Sequence, residues 1–180
     1  MSSPVVEAVG RELPLSEMPD RLASLYRYWN LKRGQDPMPR RADIDPLDLR
    51  DVLGWISLVE IRGTPPQFVY RLVGSQLGYR RGGPKERRPL DEVRPAEYRA
   101  LVERQFRHVA ETGQPTLCEN TITFREGRFT YRRLALPLGA DRRTPDMLLL
   151  GADCDGSAIA RFHALCDREL GDELLAPRKP

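Results

Sequence analysis

The 180 residues carry 29 Lys and Arg against 26 Asp and Glu, a net charge of +3. One domain with appendages is expected, and a strong electrostatic pull toward nucleic acid is not. A hydrophobic share of 40% suffices for a real core, yet no apolar run is long enough to span a bilayer.

Residues 1–18 show no periodic pattern, no basic-then-apolar leader signature, and are expected to be flexible. From Pro19 to Arg33, Leu22, Leu25, Tyr26 and Trp29 recur at helical spacing, and Gly34 closes the segment. This stripe covers either the outer face of the chain's own sheet, the usual fate of such stripes, or a partner subunit. It is therefore the candidate partner-binding surface. A proline-containing linker runs on to Arg41, completing an N-terminal helix-and-linker unit over 19–41.

A domain over 42–155 follows. Asp45 suits a helix N-cap, Pro46 the first helical position, Asp48 a capping box, and Gly54 the helix end. Asp43, Asp45, Asp48 and Asp51 read as caps and first-turn charges rather than as a metal site. Trp55 to Ile61 reads as a strand. Arg62 to Gln67 turns the chain into a second strand from Phe68, with Phe68, Tyr70 and Leu72 on one face. Gly74-Ser75 stops that strand, and Ser75 can cap a short helix through Gln76, Leu77 and Tyr79.

Tyr79 to Arg88 is a glycine-rich basic loop whose expected state is solvated, because it lacks interleaved aromatics and a phosphate-cradling motif. Pro95 to Thr112 is the longest expected helix, with Tyr98, Leu101, Val102, Phe106 and Val109 on its apolar face and Gly113 at its end. Three strands are expected after it. Pro115 to Phe124 puts Cys118, Asn120, Ile122 and Phe124 on one side. Arg125 to Arg128 turns, with a positive φ expected at Gly127. Phe129 to Leu138 carries Phe129 and Tyr131 on one face and Leu134 and Leu136 on the other. Met147 to Ala152 is apolar on both faces, as a central strand is. Residues 156–171 form a C-terminal helix with Ile159, Phe162, Cys166 and Leu170 on one stripe, and 172–180 a tail.

Trp29, Ala42-Asp43-Ile44-Asp45-Pro46, Tyr70-Arg71-Leu72-Val73-Gly74-Ser75 and Leu90-Asp91-Glu92, in this order and spacing, resemble a bacterial family of small stand-alone PAS-type proteins. The resemblance runs from about Leu25 to about Asp155. Where that family has a Gly-Arg-Asp-Leu-Thr-Gly-Arg-like run, this chain has Gly82-Gly83-Pro84-Lys85-Glu86-Arg87-Arg88. The implied fold is α+β: a PAS-like five-stranded antiparallel sheet with helices on one face, plus the terminal helices, which cover the other face or form a dimer seam. The element order read from the residues agrees.

The resemblance implies a ligand pocket between the long helix and the sheet. Tyr70, Leu72, Leu101, Val102, Phe106, Ile122 and Tyr131 would line it, with Arg71 or Arg133 anchoring a carboxylate or phosphate if either points inward. The same residues would equally fill a closed core. Some PAS sensors hold haem through a helix histidine, which draws attention to His108. A lone imidazole on a helix is usually at the surface or hydrogen-bonded, so haem through His108 is not expected; the sequence requires no cofactor and names none. The flavin-adduct cysteine motif of light-sensing PAS domains is absent. With two histidines and no serine on a nucleophile elbow, hydrolase chemistry lacks its base, and no His/Cys group has zinc spacing.

The expectation is a non-catalytic PAS sensory or regulatory protein that binds a small ligand or a signalling protein. The alternative is a constitutive dimerisation scaffold with a filled core. A homodimer is expected; nucleic acid and a membrane span are not. Cys118, Cys154 and Cys166, odd in number and without CxxC spacing, suit reduced thiols in the cytoplasm.

Overall fold

In a computed structural model, which describes residues 7–77, 88–93 and 95–169, the alternating segments join into one antiparallel sheet. Its strands are β1 (Glu7–Leu13), β2 (Ile56–Arg62), β3 (Gln67–Val73), β4 (Arg88–Pro89), β5 (Thr116–Phe124), β6 (Gly127–Leu138) and β7 (Met147–Asp153). They lie in the order β1-β5-β6-β7-β2-β3-β4. The five expected strands are the contiguous core of this sheet, and β7 is central, as its two apolar faces require. The two-residue β4 lies at one edge and β1 at the other. The helices are α1 (Asp20–Arg33), α2 (Ala96–Thr112) and α3 (Gly156–Glu169).

The strand at 7–13 corrects the expectation of a flexible N-terminus: it pairs residue for residue with β5, Glu7 with Thr123 through Leu13 with Leu117. It was hidden because its side chains are mostly exposed. Backbone pairing, not an apolar stripe, forms it. The 45–54 helix is also corrected. Asp45 does cap a turn, accepting from the Leu47 N–H at 2.9 Å, but Pro46–Leu49 and Leu53–Trp55 are two 3-10 turns. Gly74 passes so close to the second that a Cβ there would stand 2.6 Å from the Gly54 carbonyl carbon. Gly127 has no positive φ; it opens β6 opposite Phe124.

One sheet face belongs to α1. Leu22, Leu25 and Trp29 are buried with Leu134, Leu136, Leu149, Ile56 and Leu58. Gly151 lets the helix approach: a Cβ there would lie 2.7 Å from Leu25 Cδ2. Trp29 Nε1 donates to the Pro137 carbonyl at 2.9 Å, and Arg21 pairs with Asp153 at 2.8 Å. The stripe thus packs on its own sheet. Tyr26, half-buried and stacked on Trp29, is the only one of the four that is not fully buried.

The other face belongs to α2, which buries Val102, Phe106 and Val109 over Val59, Phe68, Ala135, Leu148 and Leu150. The C-terminal helix α3 lies on this same face rather than the opposite one, with Leu165 buried among Ile122, Phe124, Phe129 and Tyr131. The basic run from Tyr79 to Arg87 and the chain beyond 169 lie outside the described residues. No described helix is long and apolar enough to cross a membrane.

Candidate functional site

Cross-strand pairing places Cys118 beside Arg133, Asn120 beside Tyr131 and Ile122 beside Phe129, all on the α2 face. The facing helix contributes Tyr98, Leu101, Val102, Gln105 and Phe106. Under the helix, polar groups interrupt what would otherwise be an apolar core. Asn120 is fully buried and Arg133 is only 6% exposed.

These groups form a directed chain. The Arg133 guanidinium donates to Gln105 Oε1. Gln105 Nε2 then donates to Asn120 Oδ1 at 2.7 Å. Because guanidinium has no acceptor, Gln105 must present its oxygen to Arg133 and its nitrogen to Asn120. Asn120 must in turn present its oxygen, leaving Nδ2 buried with no partner, the one such side-chain atom among the described residues. Beside this chain the Tyr98 and Tyr131 hydroxyls share a hydrogen bond of 2.5 Å.

Arg133 keeps its charge. Burial works to lower its pKa, but a guanidinium starts so far above neutrality that it stays protonated here. Burial itself holds the Tyr70 and Tyr131 phenols and the Cys118 thiol above their ordinary values. At neutral pH the cluster therefore holds one buried positive charge. No acid among the described residues pairs with it. Its guanidinium carbon stands 5.1 Å from the Phe106 ring and 5.8 Å from the Tyr131 ring. Such contacts contribute about 1–2 kcal/mol each when desolvated, whereas an uncompensated buried charge costs about 3–5 kcal/mol. The rings and the Gln105 oxygen make the charge tolerable without neutralising it.

Among the residues expected at the site, Leu101, Val102, Phe106, Ile122 and Tyr131 are buried on this face, and Tyr70 joins them half-buried with its ring 6.2 Å from Phe106. Leu72 does not. A β-bulge between Leu58 and Val59 shifts the register so that Leu72 stands opposite Leu58, on the α1 side, 40% exposed. Arg71 is occupied elsewhere: it pairs with Glu60 at 2.9 Å, which Arg62 also reaches. Arg133 is the arginine that points inward. His108 lies on the exposed side of α2.

Gln105, Asn120, Tyr98 and Gly10 were missed. Asn120 had a signal, an amide on the apolar stripe of Cys118, Ile122 and Phe124. Gln105 had another, since it lies four residues after Leu101 on the buried face. Gly10 had none in the sequence. It lies under α2, where a Cβ would stand 2.8 Å from Asn120 Oδ1 and from Leu101 Cδ1, and closer still to Gln105 Nε2.

Three of the four acids have partners in the fold, Asp45 as the cap already described. Asp43 accepts from Arg40 and Arg142, and Asp48 from Lys32 and Tyr28. No group of His, Cys, Asp and Glu among the described residues could hold a metal ion.

An antiparallel core in the order β5-β6-β7-β2-β3, with a long helix across one face, is the architecture of a PAS domain. The family model for the PAS domain matches residues 18–152, three quarters of the chain, and the chain belongs to that family. No significant match is found among curated proteins or among solved structures.

Proposed function

We propose that this PAS domain is a non-catalytic cytoplasmic sensory module that binds a small molecule between α2 and the sheet and signals by association. The observation that carries the reading is the polar cluster under α2. A scaffold with a filled core has no use for a buried Asn120 donor without a partner. A binding site has, because specificity comes from a few placed polar groups in an apolar surround.

A route outward supports the signalling part. Tyr131 stacks on Phe129 at 5.4 Å, and Phe129 stacks on Phe162 of α3 at 4.7 Å. A ligand that moves Tyr131 therefore presses on a terminal helix through two packed rings. Association of a homodimer or a signalling partner through α3 would read that change.

Native mass spectrometry of the protein as purified, beside its denatured mass, tests this. An extra non-covalent mass lost on denaturation is expected, and it should be missing from folded Leu101→Trp, whose larger ring would take the ligand's place under α2. A bare protein that no small molecule stabilises, as a dimer or otherwise, would overturn the reading in favour of the scaffold.

A further inference from the structure

We propose that the site under α2 takes a small monocarboxylate with an apolar body, its carboxylate accepting from the Arg133 guanidinium and from Asn120 Nδ2. This rests on the ligand-binding reading above and names its chemical class.

The argument is one of donors and charge. The chain Arg133–Gln105–Asn120 consumes both oxygens of its two amides internally. What it presents outward is donors only: the remaining guanidinium N–H groups and Asn120 Nδ2, the latter fully buried and unpaired. This chain has no amide oxygen left to accept with. It also lacks a negative charge, since Arg133 is its one charged group and no carboxylate among the described residues forms an ion pair with it; its side-chain hydrogen bond goes to Gln105 and its ring contacts are to Phe106 and Tyr131. A carboxylate supplies both deficits at once, because its two oxygens match the guanidinium fork. One cation balances one charge, and a dianionic phosphate would bring a second, uncompensated charge into a buried site. The body must be apolar because the polar groups share the α2 face with the buried side chains of Leu101, Val102, Phe106, Ile122 and Tyr131.

Gln105→Glu provides the sharpest test. It sets a carboxylate of the same length against Arg133, and Asn120 can then turn its amide to donate to it. The chain would thus carry its own acceptor and charge.

The experiment is thermal melting and calorimetric titration of the full chain with benzoate, hexanoate, neutral benzamide and inorganic phosphate. Benzoate or hexanoate at about 100 times its Kd should raise the wild-type Tm by about 5–11 °C, with benzamide and phosphate near zero. Arg133→Met, apolar and of similar length, should weaken monocarboxylate binding more than tenfold. Gln105→Glu should melt at or above the wild-type temperature and lose the monocarboxylate response. If benzamide binds as well as benzoate and Arg133→Met changes neither, the charge recognition is wrong while the small-molecule reading stands. Preference for phosphate, or no wild-type response to either monocarboxylate, also overturns the proposal. A neutral mass in the native spectrum would then keep the sensor reading alive.

Discussion

Gly10→Ala is a one-methyl change in a strand that carries almost no buried side chain, yet it should cost stability. The backbone there is not left-handed, so alanine is conformationally allowed and its stiffer unfolded chain alone would add about 0.4–1 kcal/mol. Against this stands the close approach of α2. The new methyl would sit 2.8 Å from Leu101 Cδ1 and from Asn120 Oδ1, inside van der Waals contact, and would collide with Gln105 Nε2. Gln105 cannot swing away freely, because its amide bonds both Arg133 and Asn120. Overpacking costs about 1–3 kcal/mol, so a net loss of about 1–2 kcal/mol is expected. Urea denaturation reads this as a midpoint lowered by about 0.5–1 M at unchanged slope. In the double mutant with Gln105→Ala, part of the loss should return, since the collision partner is gone. An alanine variant as stable as wild type, or more so, would show that β1 does not lie against α2 at this distance.

Two other perturbations test the opposite face and the linker. Trp29→Phe keeps a ring in place but removes the donor to the Pro137 carbonyl, and should cost about 1–3 kcal/mol in urea denaturation; a loss within error would mean the bond is not formed. The Asp43 carboxyl is held below its ordinary pKa, first by the Arg40 side chain, then by the Arg40 backbone N–H and by Arg142. A depressed folded-state pKa contributes stability that is full above the unfolded value, about 3.9, and is lost as pH falls through the folded one. The stability gap between wild type and Asp43→Asn should therefore be wide at pH 6 and close progressively below pH 4. A gap that stays constant over that range would refute the ion-pair account.

How far the sequence could be read follows from where side-chain pattern carries the information. Trp29 and its helical neighbours announced a helix, but a stripe of that kind fits a partner as well as the chain's own sheet, and only its packing on Leu134, Leu136 and Leu149 decides between them. Met147 to Ala152 announced a central strand because only a strand covered on both sides is apolar throughout. β1 was illegible because its stability lies in backbone pairing to β5, which leaves no trace in residues 7–13. Leu72 was placed on the wrong face because strict alternation was assumed, and a bulge reverses parity from the position at which it occurs. At the candidate site the apolar lining could be read from helical and strand periodicity. The polar chain could not, since Gln105, Asn120 and Arg133 meet only when β5, β6 and α2 pack together. Choosing Arg133 over Arg71 required knowing that Glu60 already pairs with Arg71.

The central claim is that donors buried under α2 await an acceptor from outside the chain. Proton–nitrogen correlation spectra of the labelled protein test it most directly, following the Asn120 side-chain amide and the Arg133 Nε–H during addition of benzoate. The Trp29 indole N–H, on the opposite face of the sheet, is the internal reference. The account predicts that the Asn120 and Arg133 signals move together and saturate while the Trp29 signal stays in place. Static Asn120 and Arg133 signals at saturating benzoate, or equal movement of all three, would contradict it.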